Sequence, residues 1–115
     1  MLFRSDHGHK VLQVDGEHDV FGDGSVVCIP TWGHTPGHQS LRVRTEKGEI
    51  VLTGDACYFC RTLQERRLPV RVFNREQMLA SLDRLENLQK GGARLIFGHD
   101  ADFWKGVPQA PTPLF

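Results

Sequence analysis

Apolar and polar residues alternate from Gln39 to Thr45, with Leu41 and Val43 on one face and Arg42 and Arg44 on the other. A period of two is that of a half-buried β-strand. Glu46-Lys47-Gly48-Glu49 reads as a turn, and Ile50 to Thr53 as the returning strand of a hairpin. Upstream, Ser25 to Pro30 is mostly apolar with two adjacent valines, which suits a buried strand. Lys10 to Val14 also alternates and predicts a short strand closed by Asp15-Gly16. Asp19 to Phe21 predicts a brief extended piece before the Gly22-Asp23-Gly24 turn.

The period changes further on. Asn74 followed by Gln77 has the spacing of a helix capping box, and Met78, Leu79, Leu82, Leu85 and Leu88 form a stripe at helical spacing. Gly91-Gly92 stops it, so a covering helix is predicted over 74–90. Ala93 to Phe97 is the strand that follows. Ala56 to Arg67 fits a loop or an irregular helix, with Cys57, Phe59, Cys60 and Leu63 as candidate buried positions, and 107–115 reads as an extended surface tail. A helix between strands predicts an α/β fold with a mixed, mostly antiparallel sheet and one long covering helix, residues 1–115 forming one domain at most. Val27, Leu41, Val43 and Val51 are expected to share its apolar face.

Composition narrows the picture. The chain has 115 residues, with 14 basic and 14 acidic side chains spread along it, so no basic stripe tracks phosphates and no nucleic-acid partner is expected. No apolar run approaches the roughly 20 residues of a membrane helix, and no membrane partner is expected. Three cysteines make no disulfide framework and point to a reducing cytoplasmic setting. Met1-Leu2-Phe3-Arg4-Ser5 gives way abruptly to a polar stretch; these five residues read as non-native, and the chain as a truncated one.

Chemistry gathers at the strand ends. His34 lies in Gly33-His34-Thr35-Pro36-Gly37-His38, Asp55 in Leu52-Thr53-Gly54-Asp55, and His99 in Ile96-Phe97-Gly98-His99-Asp100. His34 and His38 are four apart, but Pro36 and Gly37 forbid the helix that would make them co-ligands. Each residue has a plain reading: His34 packed beside Trp32, His38 a packing or supporting histidine, Asp55 or Asp100 a capping residue. Two histidines and an aspartate at three strand ends jointly suit zinc, which takes imidazole nitrogen and carboxylate oxygen. Cys57 and Cys60 have Cys-x-x-Cys spacing without a second pair and are read as buried thiols.

These three motifs, with Ala56-Cys57-Tyr58 following Asp55, resemble the second half of the metallo-β-lactamase superfamily, and within it the N-acyl-homoserine lactonase branch. The similarity runs from about Lys10 onward, with the motifs in the family's order. It implies half of an αβ/βα sandwich and a hydrolase in which a hydroxide between two zinc ions opens a small-molecule ester or lactone. It further implies that His34 ligates the first metal, Asp55 bridges both, His99 ligates the second, and Tyr58 hydrogen-bonds the substrate carbonyl. His38 is not expected to be a ligand. A thioesterase or glyoxalase-II-like hydrolase, or a non-catalytic domain of the same fold, are the alternatives.

One departure stands out. The family's His-x-His-x-Asp-His loop has no counterpart: His7-Gly8-His9 runs into Lys10-Val11-Leu12, and His7, His9 and His18 read as exposed turn residues. The isolated chain is therefore expected to bind zinc weakly and to be inactive. Its sheet is expected to lack a partner, either the missing N-terminal half or a second copy.

Overall fold

The computed structural model describes residues 8–114. The hairpin is present: β3 (Gln39–Thr45) and β4 (Gly48–Leu52) pair antiparallel, with Leu41 opposite Leu52. β2 (Val26–Pro30) flanks β3 antiparallel, and β1 (His18–Asp19) flanks β2. β5 (Arg94–Ile96) joins β4 in parallel, giving the order β1-β2-β3-β4-β5 in a mixed, mostly antiparallel sheet. Parallel pairing needs a crossover. Here it consists of a 3₁₀ turn (Gly54–Ala56), α1 (Cys60–Glu65) and α2 (Arg75–Lys90).

α2 follows the sequence closely. The Asn74 side chain accepts the Gln77 N–H at 2.9 Å, a cap of the kind that contributes about 1 kcal/mol. The Asn74 N–H goes to the Gly33 carbonyl rather than back to Gln77, so the cap also fastens the helix to a rim loop. Leu82 and Leu85 are buried with Val27, Ile29, Val51 and Leu95 of the sheet. Each such side chain contributes about 1.5–3 kcal/mol. α1 ends at Arg66 in the left-handed conformation (φ 58°), whose guanidinium reaches Asp83 and Glu86 of α2.

The register corrects the expected apolar face. Val27 and Val51 both lie opposite Arg42, on the side that α2 covers, whereas Leu41 and Val43 lie opposite Cys28, Leu52, Val26 and Ile50 on the other. Residues paired across strands share a face, so the four expected residues divide two and two. The second face is half-buried, with Leu52 39% exposed.

Other expectations also change. Lys10 to Val14 forms no strand; Val11 and Leu12 stand 61% and 68% exposed, because alternation alone supplies no strand to pair with. The extended piece expected over Asp19–Phe21 ends at Asp19, whose carboxylate accepts the N–H groups of Gly22 and Gly24 and bends the chain. A short α3 (Ala101–Lys105), not predicted, follows β5. The opening Met1–Ser5, His7 and the last tail residue lie outside the described residues. Among the described residues, no helix is long and apolar enough to cross a membrane.

Candidate functional site

β2 and β4 are both antiparallel to β3, and β5 is parallel to β4. The C-terminal ends of β2, β4 and β5 therefore meet on one rim, and the three motifs lie just beyond them. The first loop presses on α2: Gly33 takes φ +131°, and a Cβ there would lie 2.4 Å from the Met78 nitrogen. The Ser81 hydroxyl donates to the Trp32 carbonyl at 2.7 Å, completing the clamp.

The rim brings the expected residues together. His99 Nε2 lies 2.9 Å from Asp55 Oδ1, and His34 Nε2 lies 3.3 Å from Asp55 Oδ2. One carboxylate thus faces a different imidazole with each oxygen. The Tyr58 ring leans on both, 4.3 Å from His99 and 5.8 Å from His34 between centroids. His34 Nδ1 is buried without a partner among the described residues.

His38 sits behind this trio. Its Nε2 accepts the Asp55 backbone N–H at 3.0 Å, and its Nδ1 lies 2.9 Å from the Thr31 hydroxyl. Thr31 and Ser40 hydroxyls are 2.7 Å apart, and Ser40 donates to the Thr53 carbonyl at 3.0 Å. Burial pushes the His38 imidazole below its ordinary value, with the His34 neighbour acting the same way and the Asp55 charge opposing. Sequence reasoning missed Thr31, Ser40 and Thr53. Nothing in the chain marked them: alternation puts Ser40 on the polar face with Arg42, and only the register, with Ser40 opposite the buried Ile29, turns that face inward.

The second and third motifs are stitched to each other. The Thr53 hydroxyl lies 3.0 Å from the carbonyls of both Cys57 and Ile96. The His99 N–H donates to the Tyr58 carbonyl at 3.3 Å. Asp100 is the capping residue that its position suggested: one oxygen accepts the Phe103 N–H of α3, and the other accepts the Cys60 N–H of α1. Those amides hold its carboxyl below the usual value. Burial, then the Asp55 charge, raises the Tyr58 phenol. Cys57 is fully buried and its thiol is pushed up to about 12, mainly by desolvation. Cys60 is only half-buried, a correction to its expected burial, because it opens α1 beside an exposed turn.

The model of the metallo-beta-lactamase superfamily matches residues 5–99. The chain belongs to that superfamily. It is 37% identical over 100 residues to the N-acyl homoserine lactonase AttM of Azorhizobium caulinodans, covering 85% of this chain and 38% of that protein. It is 35% identical over 91 residues to the N-acyl homoserine lactonase AiiA of Bacillus thuringiensis subsp. kurstaki, covering 77% and 35%. Among solved structures, it superposes on an N-acyl homoserine lactone hydrolase with the product N-hexanoyl-L-homoserine bound at its catalytic metal centre. That match has a TM-score of 0.75 and 34% identity, covering 86% of this chain and 39% of that one. The chain thus spans under two-fifths of the length of these metallo-beta-lactamase relatives. The five-stranded sheet and long helix are this fold's.

The family implies metal dependence, and the rim fits it in part. The 2.9 and 3.3 Å donor separations are close to the edge of a tetrahedron around an ion with bonds of about 2.0–2.1 Å, roughly 3.3 Å. Yet among the described residues no three His, Cys, Asp or Glu side chains close around one ion. The two histidines address opposite oxygens of the Asp55 carboxylate.

Proposed function

We propose that this chain carries part of a zinc-dependent hydrolase site that opens a lactone ring of the N-acyl homoserine type. The observation that supports this reading is the Asp55 carboxylate, flanked on separate oxygens by His34 and His99. In this reading His34 ligates one ion, His99 the other, and Asp55 both. Bound ions supply Lewis-acid polarisation of the carbonyl and a water acidified into the neutral range.

The chain's own residues do the positioning. Asp55 fixes the spacing of the two imidazoles, because each is within hydrogen-bonding range of one of its oxygens. The Tyr58 phenol keeps its proton at neutral pH and can donate to the oxygen that gains charge as the carbonyl is attacked. The names of the lactonase relatives support the substrate class. Catalytic zinc takes three protein ligands plus water, and the trio offers at most two per ion. The described residues alone therefore bind zinc weakly and turn over no lactone.

Titrating the chain with zinc against a chromophoric chelator tests the ligand assignment. Weak binding that disappears in Asp55→Ala supports it; binding indifferent to that substitution overturns it. Lactone hydrolysis by the chain alone, abolished by chelator, would overturn the inactivity. For the substrate class, a ring-opened N-acyl homoserine added to the zinc-loaded chain should shift the Tyr58 and His99 resonances. No shift at millimolar ligand would count against the lactone reading.

A further inference from the structure

We propose that His38 is a positioning residue: as the Nδ1–H tautomer it closes a hydrogen-bond circuit around the Thr53-Gly54-Asp55 turn and thereby sets the direction of the Asp55 carboxylate. Its consequence for metal binding rests on the reading of Asp55 as a shared ligand. The circuit itself does not.

The donors run in one direction only. The Asp55 N–H can only donate, so His38 Nε2, 3.0 Å away, must carry a lone pair. At the far end the Thr53 carbonyl can only accept, so the Ser40 hydroxyl spends its proton there, at 3.0 Å. Ser40 therefore accepts from Thr31 at 2.7 Å. Thr31, its proton spent, accepts from His38 Nδ1–H at 2.9 Å. Every group is satisfied by this one arrangement, and the tautomer follows from its partners. The path leaves the turn at the Asp55 nitrogen and returns to it at the Thr53 carbonyl, two residues earlier.

Two independent observations point the same way. Thr31, Ser40 and Thr53 are at most 1% exposed. Burying the Thr31 and Ser40 hydroxyls is costly unless each is paired, and apolar residues of the same size would pack there more cheaply. The Thr53 carbonyl is buried with them, while its hydroxyl is bonded to Cys57 and Ile96 outside the circuit. Gly54 supplies the second. Its φ is +58°, and a Cβ there would meet His38 Nε2 at 2.9 Å, so the turn is bare where the imidazole approaches it. With the backbone held on both sides of Gly54, the side chain of Asp55 leaves the rim in a fixed direction, towards His34 and His99. Partners of this kind behind a metal ligand usually account for about 10–100-fold in affinity.

Two variants of the full 115-residue chain separate positioning from packing. In His38→Gln the amide oxygen reaches the place of Nε2 and can still accept from Asp55. In His38→Asn the amide nitrogen reaches the place of Nδ1 and serves only Thr31. Slow hydrogen exchange of the Asp55 amide should survive in the glutamine variant and be lost in the asparagine variant. Zinc affinity should stay near wild type in the first and fall about 10–100-fold in the second. The reverse pattern, or two variants that both match wild type, overturns the proposal. Should neither variant fold, long-range proton–nitrogen NMR of the wild-type chain decides it: a protonated Nε2 at His38 overturns it, a protonated Nδ1 supports it. If wild type binds no zinc, the ligand reading of Asp55 fails while the amide exchange still judges the circuit.

Discussion

Gly33 lies so close to Met78 that a Cβ on the glycine would stand 2.4 Å from the methionine nitrogen. The loop that carries His34 is therefore seated directly on the first turns of α2, and the position of an imidazole on the rim depends on a helix in the layer beneath. Gly33→Ala meets both a clash with backbone, which cannot rotate away, and a φ of +131° that a side chain disfavours. The expected cost is about 2–4 kcal/mol of stability, read from urea unfolding. Zinc affinity should fall with it, since the loop must lift. An unchanged unfolding midpoint would mean that the loop does not rest there.

Asp100 caps two helices with one carboxylate, and its pKa is lowered first by the Cys60 amide and then by that of Phe103. A carboxyl depressed in the folded state stabilises above its unfolded value of about 3.8 and loses that contribution as pH falls through the lower folded value. Asp100→Asn should therefore lower the melting temperature at neutral pH. In strong acid, where the wild-type carboxyl is itself protonated, the two melting curves should converge. A constant difference across the whole range would contradict this linkage.

Tyr58→Phe removes a hydroxyl that has no hydrogen-bond partner among the described residues, while keeping the ring against His99 and His34. Stability should change by less than about 0.5 kcal/mol, as for other surface substitutions. In a protein in which the lactonase site is complete, loss of this donor should lower kcat by about 100–1,000-fold with little change in KM. A KM effect alone would make Tyr58 a substrate-binding group instead.

The three thiols should react in two classes. Cys57 is fully buried with its thiol pushed up to about 12, and it points into the turn, donating to the Phe59 carbonyl at 3.3 Å. Cys28 and Cys60 are half-buried. A thiol reagent at neutral pH should label those two and spare Cys57 until denaturant is added, as mass spectrometry of the labelled peptides would reveal. Early labelling of Cys57 would mean that the turn opens.

The half-buried sheet face of Val26, Cys28, Leu41, Val43, Ile50 and Leu52 is expected to drive self-association of the isolated chain. Leu52→Lys, at a position 39% exposed, should shift light scattering towards the monomer without unfolding the domain. A wild-type chain that is already monomeric at high concentration would remove the basis for this.

What could be read from the chain beforehand was local. β3 spans Gln39–Thr45 as its alternation predicts, and Asn74 caps α2 because side chain and spacing both act within one turn. The convergence of His34, Asp55 and His99 was legible from the resemblance and from three strand-end positions. Register was not. Nothing near Val27 or Val51 says that they stand opposite Arg42, since that depends on how three strands slide past one another. The Thr31–Ser40 contact was equally hidden, because it forms only once β2 and β3 have paired. α3 is five residues long, too short for periodicity to announce it, and rests on the Asp100 cap.

Because β2, β4 and β5 all point their C-terminal ends at one rim, the hairpin bend at Glu46 and Lys47 falls at the opposite end of the molecule. Lys47 is exposed there. A fluorophore or surface tether attached at that amine would present the histidine-bearing edge to solution, leaving ions and small molecules free to reach it in an immobilised format.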